Sequence, residues 1–355
     1  MTLAVKIAPP IRCIGLADLV SHEGGAFRRH EMGESIEYPV PSYARPEVRE
    51  YFRSMNTVRS EGYVLADLPS GRIFGAGAVL SSDGTLLARD VSGDHGNPAE
   101  YHWLLGFKRL RLPQAVNGST AVVAVNLGDG YAHWLLEEFP RLLSVPAGCV
   151  ENLLLHVDSG LAREALRLRG GAEQVIAVRR EQHLACAPLL VPGLVATAAT
   201  PVPRTLRLID EFTESLGRVA SGCGERVYFS REKAGRRRVA NEAALWGMLE
   251  ANGFKKVCLE ELTWDQQIGV CRRARVVVAP HGAGLANIVF CSPGTRVVEL
   301  LSRRYCNPGY WRLAVLRGLD YRPVVAAGVE PLGEDRRANR DDILANLEQV
   351  RSAIS

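Results

Sequence analysis

One stretch constrains this chain more than any other: VVVAPHGAGLANIVFCSPGTRVVEL, from Val276 to Leu300. A β-branched run stops at Pro280, and His281-Gly282-Ala283-Gly284 follows. Leu285 to Phe290 can start a helix, which Ser292-Pro293-Gly294 ends before a second β-branched run, Thr295 to Leu300. Strand, tight turn, short helix and strand is the grammar of a parallel sheet covered by helices. Small residues at such a junction let the backbone approach a ligand closely, and the free N–H groups of the first helical turn favour an anion. The turn therefore suits phosphate, with His281 at its mouth. An ordinary βα turn, whose glycines serve only tight packing, fits this stretch equally well.

The same alternation extends through much of the chain. AVVAVNL (121–127), NLLLHV (152–157) and QVIAV (174–178) read as strands. Trp134 to Leu143 and the run 161–170, closed by Gly170-Gly171, read as helices. After a Pro-containing linker, Ala198 to Pro203, the segment Leu206 to Ala220 is amphipathic, and a second set follows. It comprises strands at 226–230, 255–260, 276–279 and 295–300, and helices at 241–252 and 263–273. Strands alternating with helices argue for parallel, doubly wound sheets. The fold expected is α/β, with two Rossmann-like doubly wound domains facing a cleft and a β-rich, irregular N-terminal segment. Residues 1–200 form the first domain (1–120 β-rich, 121–200 α/β), 201–335 the second, and 336–355 a C-terminal helix.

At 355 residues the chain is long enough for two such domains. An apolar fraction of 47% with 23% charged residues suits a globular protein in water. No apolar run reaches the roughly 18 residues that cross a bilayer. The N-terminal segment is broken by Pro9, Pro10, Arg12 and Asp18, so no signal peptide is expected. Eight cysteines are scattered without a CxxC pair or clustered histidines, so no metal site is expected and a reducing cytoplasm is the simplest compartment. A net charge of +4 admits anionic partners such as nucleotides or a lipid surface without selecting one.

Three groups of residues can carry chemistry. Arg231, Lys233, Arg236, Arg237 and Arg238 crowd the loop after the 226–230 strand, where ligands bind in doubly wound sheets. Guanidinium groups grip phosphate bidentately. A solvated loop and a nucleic-acid patch are the other readings, although no aromatic interleaving supports the latter. Asn241 suits a helix N-cap. Glu299, near the end of the last strand, can accept from ribose hydroxyls or pair with an arginine. His133 and Glu137, four apart at a helix start, share a face and can hydrogen-bond, which makes a competent general base or a packed core pair. An oxidoreductase is disfavoured, because no strand–GxGxxG–helix unit with a following acidic residue appears.

Taken together, these residues resemble glycosyltransferase family 61, which includes plant xylosyl- and arabinosyltransferases and animal O-linked GlcNAc-adding enzymes. The carriers are Tyr131-Ala-His133-Trp134-Leu135-Leu136-Glu137 with Pro140-Arg141, then Ser230-Arg231 with Arg238, Asn241-Glu242, Gln267, and His281-Gly282-Ala283-Gly284-Leu285-Ala286-Asn287 through Glu299-Leu300. The resemblance spans about 126–301 and does not extend to the first 100 residues. It implies a two-domain fold of the glycosyltransferase B type and inversion at the anomeric carbon without an obligatory metal. The donor is a nucleotide sugar, a UDP-sugar foremost, and no cofactor is implied. The acceptor is a saccharide or glycolipid, in surface or capsular polysaccharide synthesis, with no nucleic-acid partner. The implied catalytic residues are His133 and Glu137. The implied donor-binding residues are Arg231, Arg238, Asn241, Glu242, His281, Gly282, Ala283, Gly284, Asn287 and Glu299. The expected location is cytoplasmic, with peripheral association at the inner membrane face compatible. A transferase-derived module that binds nucleotide or glycan without turnover is the alternative.

Overall fold

The structure is a computed structural model that describes residues 6–60, 62–93, 102–197, 200–217, 224–335 and 337–355. The expected linker at 198–203 and the end of the 206–220 segment lie partly outside the described residues. The chain is mixed α/β with several sheets, and it divides into two compact units. One comprises Met1–Glu34 and Ser60–Phe212, the other Ser35–Arg59 and Thr213–Ser355.

In the first unit, strands β1 (Ala26–Met32), β2 (Gly62–Leu68), β3 (Thr120–Val122), β4 (Asn152–Leu155), β5 (Gln174–Ala177) and β6 (Leu189–Pro192) form one sheet. Its order is β5-β4-β3-β6-β2-β1. β5, β4, β3 and β6 run parallel, whereas β2 and β1 add on antiparallel. Within the parallel part, the chain leaves β3 toward β4 on one side and reaches β6 on the other. A ligand-binding crevice is expected where the winding reverses in this way, at the carboxyl ends of the strands. The β-rich N-terminal segment is therefore not a separate layer. Its strands 26–32 and 62–68 complete the sheet begun at 120, and 12–14, 71–74, 78–80 and 86–88 join 114–116 and 183–186 in a second six-stranded sheet. Leu16, Leu68, Ile73, Val122, Leu154 and Val191 meet in this unit's core.

The second unit holds a wholly parallel five-stranded sheet. Its strands are β7 (Arg226–Phe229), β8 (Lys255–Val257), β9 (Val276–Pro280), β10 (Arg296–Leu301) and β11 (Asp320–Val325), in the order β8-β7-β9-β10-β11. The central strands β9 and β10 are buried almost throughout, as expected where helices cover both faces. The helix Trp264–Arg273 opens with a Thr263–Gln266 capping box. Glu242–Ala251 ends before Gly253, whose φ of 78° only glycine adopts without strain. Ser35–Arg59 belongs to this unit: its helix Pro46–Arg53 presents Phe52 to Trp311 on the helix Gly309–Arg317. The C-terminal helix is Leu347–Ile354, shorter than the expected tail segment. Among the described residues no helix is long and apolar enough to cross a membrane.

Candidate functional site

In the first unit, β3 is followed by a turn and a helix that is not uniform. Tyr131–His133 is α-helical, Trp134–Glu138 is a π-turn, and Phe139–Leu143 returns to α. Such wide turns interrupt helices rarely, and often at functional sites. His133 Nδ1 lies 2.5 Å from Glu137 Oε1; the imidazole is partly exposed and the carboxylate buried. The expected dyad is therefore formed, with Glu137 fixing the ring and its tautomer.

The next residue, Glu138, carries no role in the sequence reading, yet it is fully buried. It accepts from the N–H groups of Val125 (3.1 Å) and His156 (2.6 Å) and from His156 Nδ1 (2.7 Å). Arg141, one turn on, is also fully buried and donates to Ala124 O (2.8 Å) and twice to Pro192 O (3.0 and 2.8 Å). Desolvation drags its guanidinium down to about 10 against the pull of Glu138. Leu127 turns through φ 68° with its side chain 45% exposed. That conformation is costly for a branched residue and is typical of turns held for a purpose.

In the second unit, β7 hands over to Ser230-Arg231 and its neighbour β9 to His281-Gly282. The connection from β7 leads to β8 on one side, that from β9 to β10 on the other, so this is the reversal point of the sheet. A crevice there is lined by Ser230, Arg231, Leu259, Glu260, Gly284 and Leu285. Gly282 is extended (φ 170°), so its dihedral does not demand glycine. The room it leaves is taken by Arg231: a Cβ there would lie 2.1 Å from Arg231 Nη1, so a larger residue would push that side chain aside. The Arg231 guanidinium rests on this backbone, donating to Arg236 O (3.0 Å) and Arg237 O (3.3 Å).

Arg237 adds a second guanidinium. It is buried, turns through φ 53°, donates from Nη1 to Asn339 O (3.0 Å) and lies 5.6 Å from the Tyr305 ring centre. Its Nε is buried with no partner among the described residues. Desolvation first, and then the Arg231 charge, push its pKa down. Desolvation also lowers that of Arg231, where Tyr310 and Glu260 pull weakly the other way. Neither guanidinium is in an ion pair among the described residues. Two half-dehydrated like charges, one of them against the turn that opens the 3₁₀ helix, form a site that an anion would relieve.

His281 is buried at the edge of this site. Its Nδ1 is 2.5 Å from Glu299 Oε1, while Glu299 Oε2 accepts from Tyr321 Oη at 2.5 Å. The ring packs between Tyr305 and Tyr310. Glu299, read as a ribose acceptor or an arginine's partner, thus does neither: it is fully buried, and it orients His281.

Several expected donor residues lie behind the crevice. The Arg238 guanidinium pairs with Asp342 (3.2 Å), so it is Arg237 that accompanies Arg231. Asn241 does not cap its helix; its amide clamps both backbone groups of Ala345, each at 2.9 Å. Glu242 accepts from Tyr228 Oη (3.0 Å) and Ser230 Oγ (2.6 Å), fixing the end of β7. Asn287, buried, donates to Gln267 Oε1 (3.1 Å) and Gly284 O (3.0 Å), and Gln267 in turn holds Leu259 O (2.9 Å). Ala283 opens the 3₁₀ helix Ala283–Phe290, and Gly284 packs against Leu259.

An α/β chain with an oriented imidazole at one sheet reversal and a guanidinium–amide cradle at another has the parts of a group-transfer enzyme. Residues 131–298, 168 of 355, match the family described as Glycosyltransferase 61. That window takes in the His133 dyad, both arginines and His281. Among curated proteins, the chain is 25% identical over 99 residues to Beta-1,2-xylosyltransferase RCN11 of Oryza sativa subsp. japonica. It is 32% identical over 96 residues to Beta-1,2-xylosyltransferase of Arabidopsis thaliana, and 32% over 100 to EGF domain-specific O-linked N-acetylglucosamine transferase of Drosophila melanogaster. These alignments cover 26%, 27% and 27% of this chain, and 19%, 17% and 19% of the relatives. Residues 131–298 are thus similar to the glycosyltransferase 61 family, and the chain spans less than a fifth of the curated relatives it matches.

Proposed function

We propose that this chain is an inverting transferase that moves a sugar from a nucleoside diphosphate, UDP foremost, to a hydroxyl of a saccharide or glycolipid acceptor. The observation that carries this reading is the Arg231–Arg237 pair at a sheet reversal: a half-buried and a buried guanidinium with no carboxylate partner among the described residues, the first of them laid over Gly282. They and the 282–284 amides neutralise the leaving diphosphate as the bond from the anomeric carbon to its oxygen breaks, the task a divalent cation can perform elsewhere. His133 takes the acceptor hydroxyl's proton as that oxygen bonds to the anomeric carbon from the opposite face. Glu137 holds the ring and steadies the imidazolium formed. His281, tethered by Glu299, bonds the donor phosphate or sugar. Work on a surface or capsular polysaccharide in the cytoplasm, at the inner face of the membrane, is part of this proposal.

The test is a thermal-shift screen of the purified chain against UDP-, GDP-, dTDP- and CMP-sugars, followed by NMR of any product. Binding to the folded state alone raises the melting temperature by mass action. The names of the relatives put xylose and N-acetylglucosamine donors first. A shift with a diphosphate sugar and a product of inverted anomeric configuration are expected. No shift with any donor overturns the reading, and binding without turnover points to the non-catalytic module.

A further inference from the structure

A second imidazole borders the turn that leads to His133. A Cβ on Gly128 would lie 2.6 Å from His156 Nδ1 and 2.1 Å from Glu138 Oε2, whereas one on Gly130 would lie 3.9 Å from His133 Cδ2. Two positions of one short turn thus touch the two rings, and their Cα atoms are at most about 7.6 Å apart. His156 follows β4, which pairs with β3, so both rings stand at the carboxyl ends of adjacent parallel strands. Consecutive residues of a helix point roughly a quarter-turn apart, which lets neighbouring carboxylates serve different partners. Glu137 takes His133, and Glu138 takes His156.

The His156 side chain is 10% exposed, and its Nδ1 is committed to Glu138, which leaves Nε2 for a ligand. We propose that His156 is a second acceptor-binding residue, its Nε2–H donating to a sugar hydroxyl oxygen beside the hydroxyl that His133 deprotonates. This rests on the transferase reading above. With Nδ1–H given to Glu138, only the protonated ring can also donate from Nε2. The groups acting on this ring are Glu138 on the helix, Asp129 in the turn and Asp158 after β4. Burial works against the charge, but these carboxylates outweigh it and hold the ring protonated above the usual histidine range. The same carboxylates disfavour an anionic group there, so the ligand atom is a neutral hydroxyl.

The experiment uses the full chain, a donor that wild type turns over, and a panel of methyl glycosides as acceptors. His156→Asn keeps a donor at the Nδ1 position and deletes Nε2, whereas His156→Gln keeps a donor near Nε2 without titrating. For His156→Asn, acceptor KM rises about tenfold while donor KM and UDP affinity stay within about twofold, the scale of one hydrogen bond. In wild type, acceptor KM climbs as pH passes above the raised histidine pKa; in His156→Gln that climb is gone. The proposal is overturned if His156→Asn leaves acceptor KM unchanged or weakens donor and acceptor alike, or if His156→Gln keeps the alkaline climb. Should His156→Asn fail to fold, the His156→Gln pH profile decides. A wild type that neither binds UDP nor transfers sugar removes the transferase reading and this inference with it, an outcome distinct from an active enzyme indifferent to position 156.

Discussion

Gly282 and Arg237 set opposite demands on the second unit. At Gly282 the fold makes room for a cation. Gly282→Ala would put a methyl 2.1 Å from Arg231 Nη1, and the long side chain can swing aside more easily than β9 can move. The expected result is a well-folded protein whose affinity for UDP, by titration calorimetry, falls tenfold or more, since charged hydrogen bonds contribute about 1.5–3 kcal/mol each. Full affinity in this variant would show that Arg231 does not touch the ligand. At Arg237 the fold tolerates a charge next to a charge. Arg237→Gln removes that repulsion, so the ligand-free protein should melt no lower than wild type while UDP affinity falls at least tenfold. A lower melting temperature with unchanged affinity would make Arg237 structural. Position 237 was not legible as a donor residue in the sequence. Five basic residues in a loop look alike until the backbone chooses among them, and φ 53° at Arg237 turns that side chain inward while its neighbour pairs with Asp342. Glu138 and His156 were hidden for a different reason: their pairing joins positions 18 apart on separate elements.

The regular elements were the most legible part, because a buried parallel strand and the helix after it each leave a local period. The strands read at 152–157, 174–178, 226–230, 276–279 and 295–300 appear within a residue or two of their places. The helix 309–317, β11 and the edge strand β1 were not singled out, and the antiparallel pairing of β2 with β6, more than 100 residues away, leaves no local signal. β11 is tied to β10 by charge as well as by backbone. Asp320 accepts from Arg296 Nε (2.9 Å) and from Arg322, at the start of the two strands. Burial alone would raise the pKa of Asp320, but Arg322 and then Arg296 outweigh it, so the pKa is lowered. A depressed carboxylate pKa adds stability above the unfolded value of 3.8, and loses it as pH falls through the folded value. Asp320→Asn should therefore destabilise the chain at neutral pH by about 1 kcal/mol or less, because the carboxylate is 39% exposed and solvent screens it. The difference from wild type should shrink as pH falls through the lowered folded value and vanish once the carboxylate is protonated, as followed by urea titrations across acid pH. A gap that persists there would mean that packing, rather than charge, is the cause.

At the scale of the whole chain, the expected boundary at 200–201 took no account of the excursion Ser35–Arg59, which belongs with the second unit although it interrupts the first in sequence. Nothing local could reveal it, since its partners lie some 250 residues downstream. Phe52 stacks on Trp311 with ring centres 4.9 Å apart, and Trp311 Nε1 donates to Pro39 O at 3.0 Å. Arg303 grips Glu47 with two bonds of 2.9 and 3.0 Å, and Tyr43 Oη donates to Gln349 O at 3.0 Å. The excursion thus covers the helix 309–317 next to β11, and that helix carries Tyr310 against the ring of His281. Phe52→Ala would open a cavity under Trp311 at a cost of about 3–5 kcal/mol. If the excursion is an integral part of the second unit, hydrogen exchange should speed up across 309–325 and around His281 while β3–β6 keep their protection, because stability is lost locally before it is lost globally. UDP affinity should weaken in the same variant even though Phe52 is nowhere near a phosphate. Uniform acceleration across both units, or exchange confined to 35–59 with unaltered UDP binding, would show instead that the excursion is an appendage the donor site can do without.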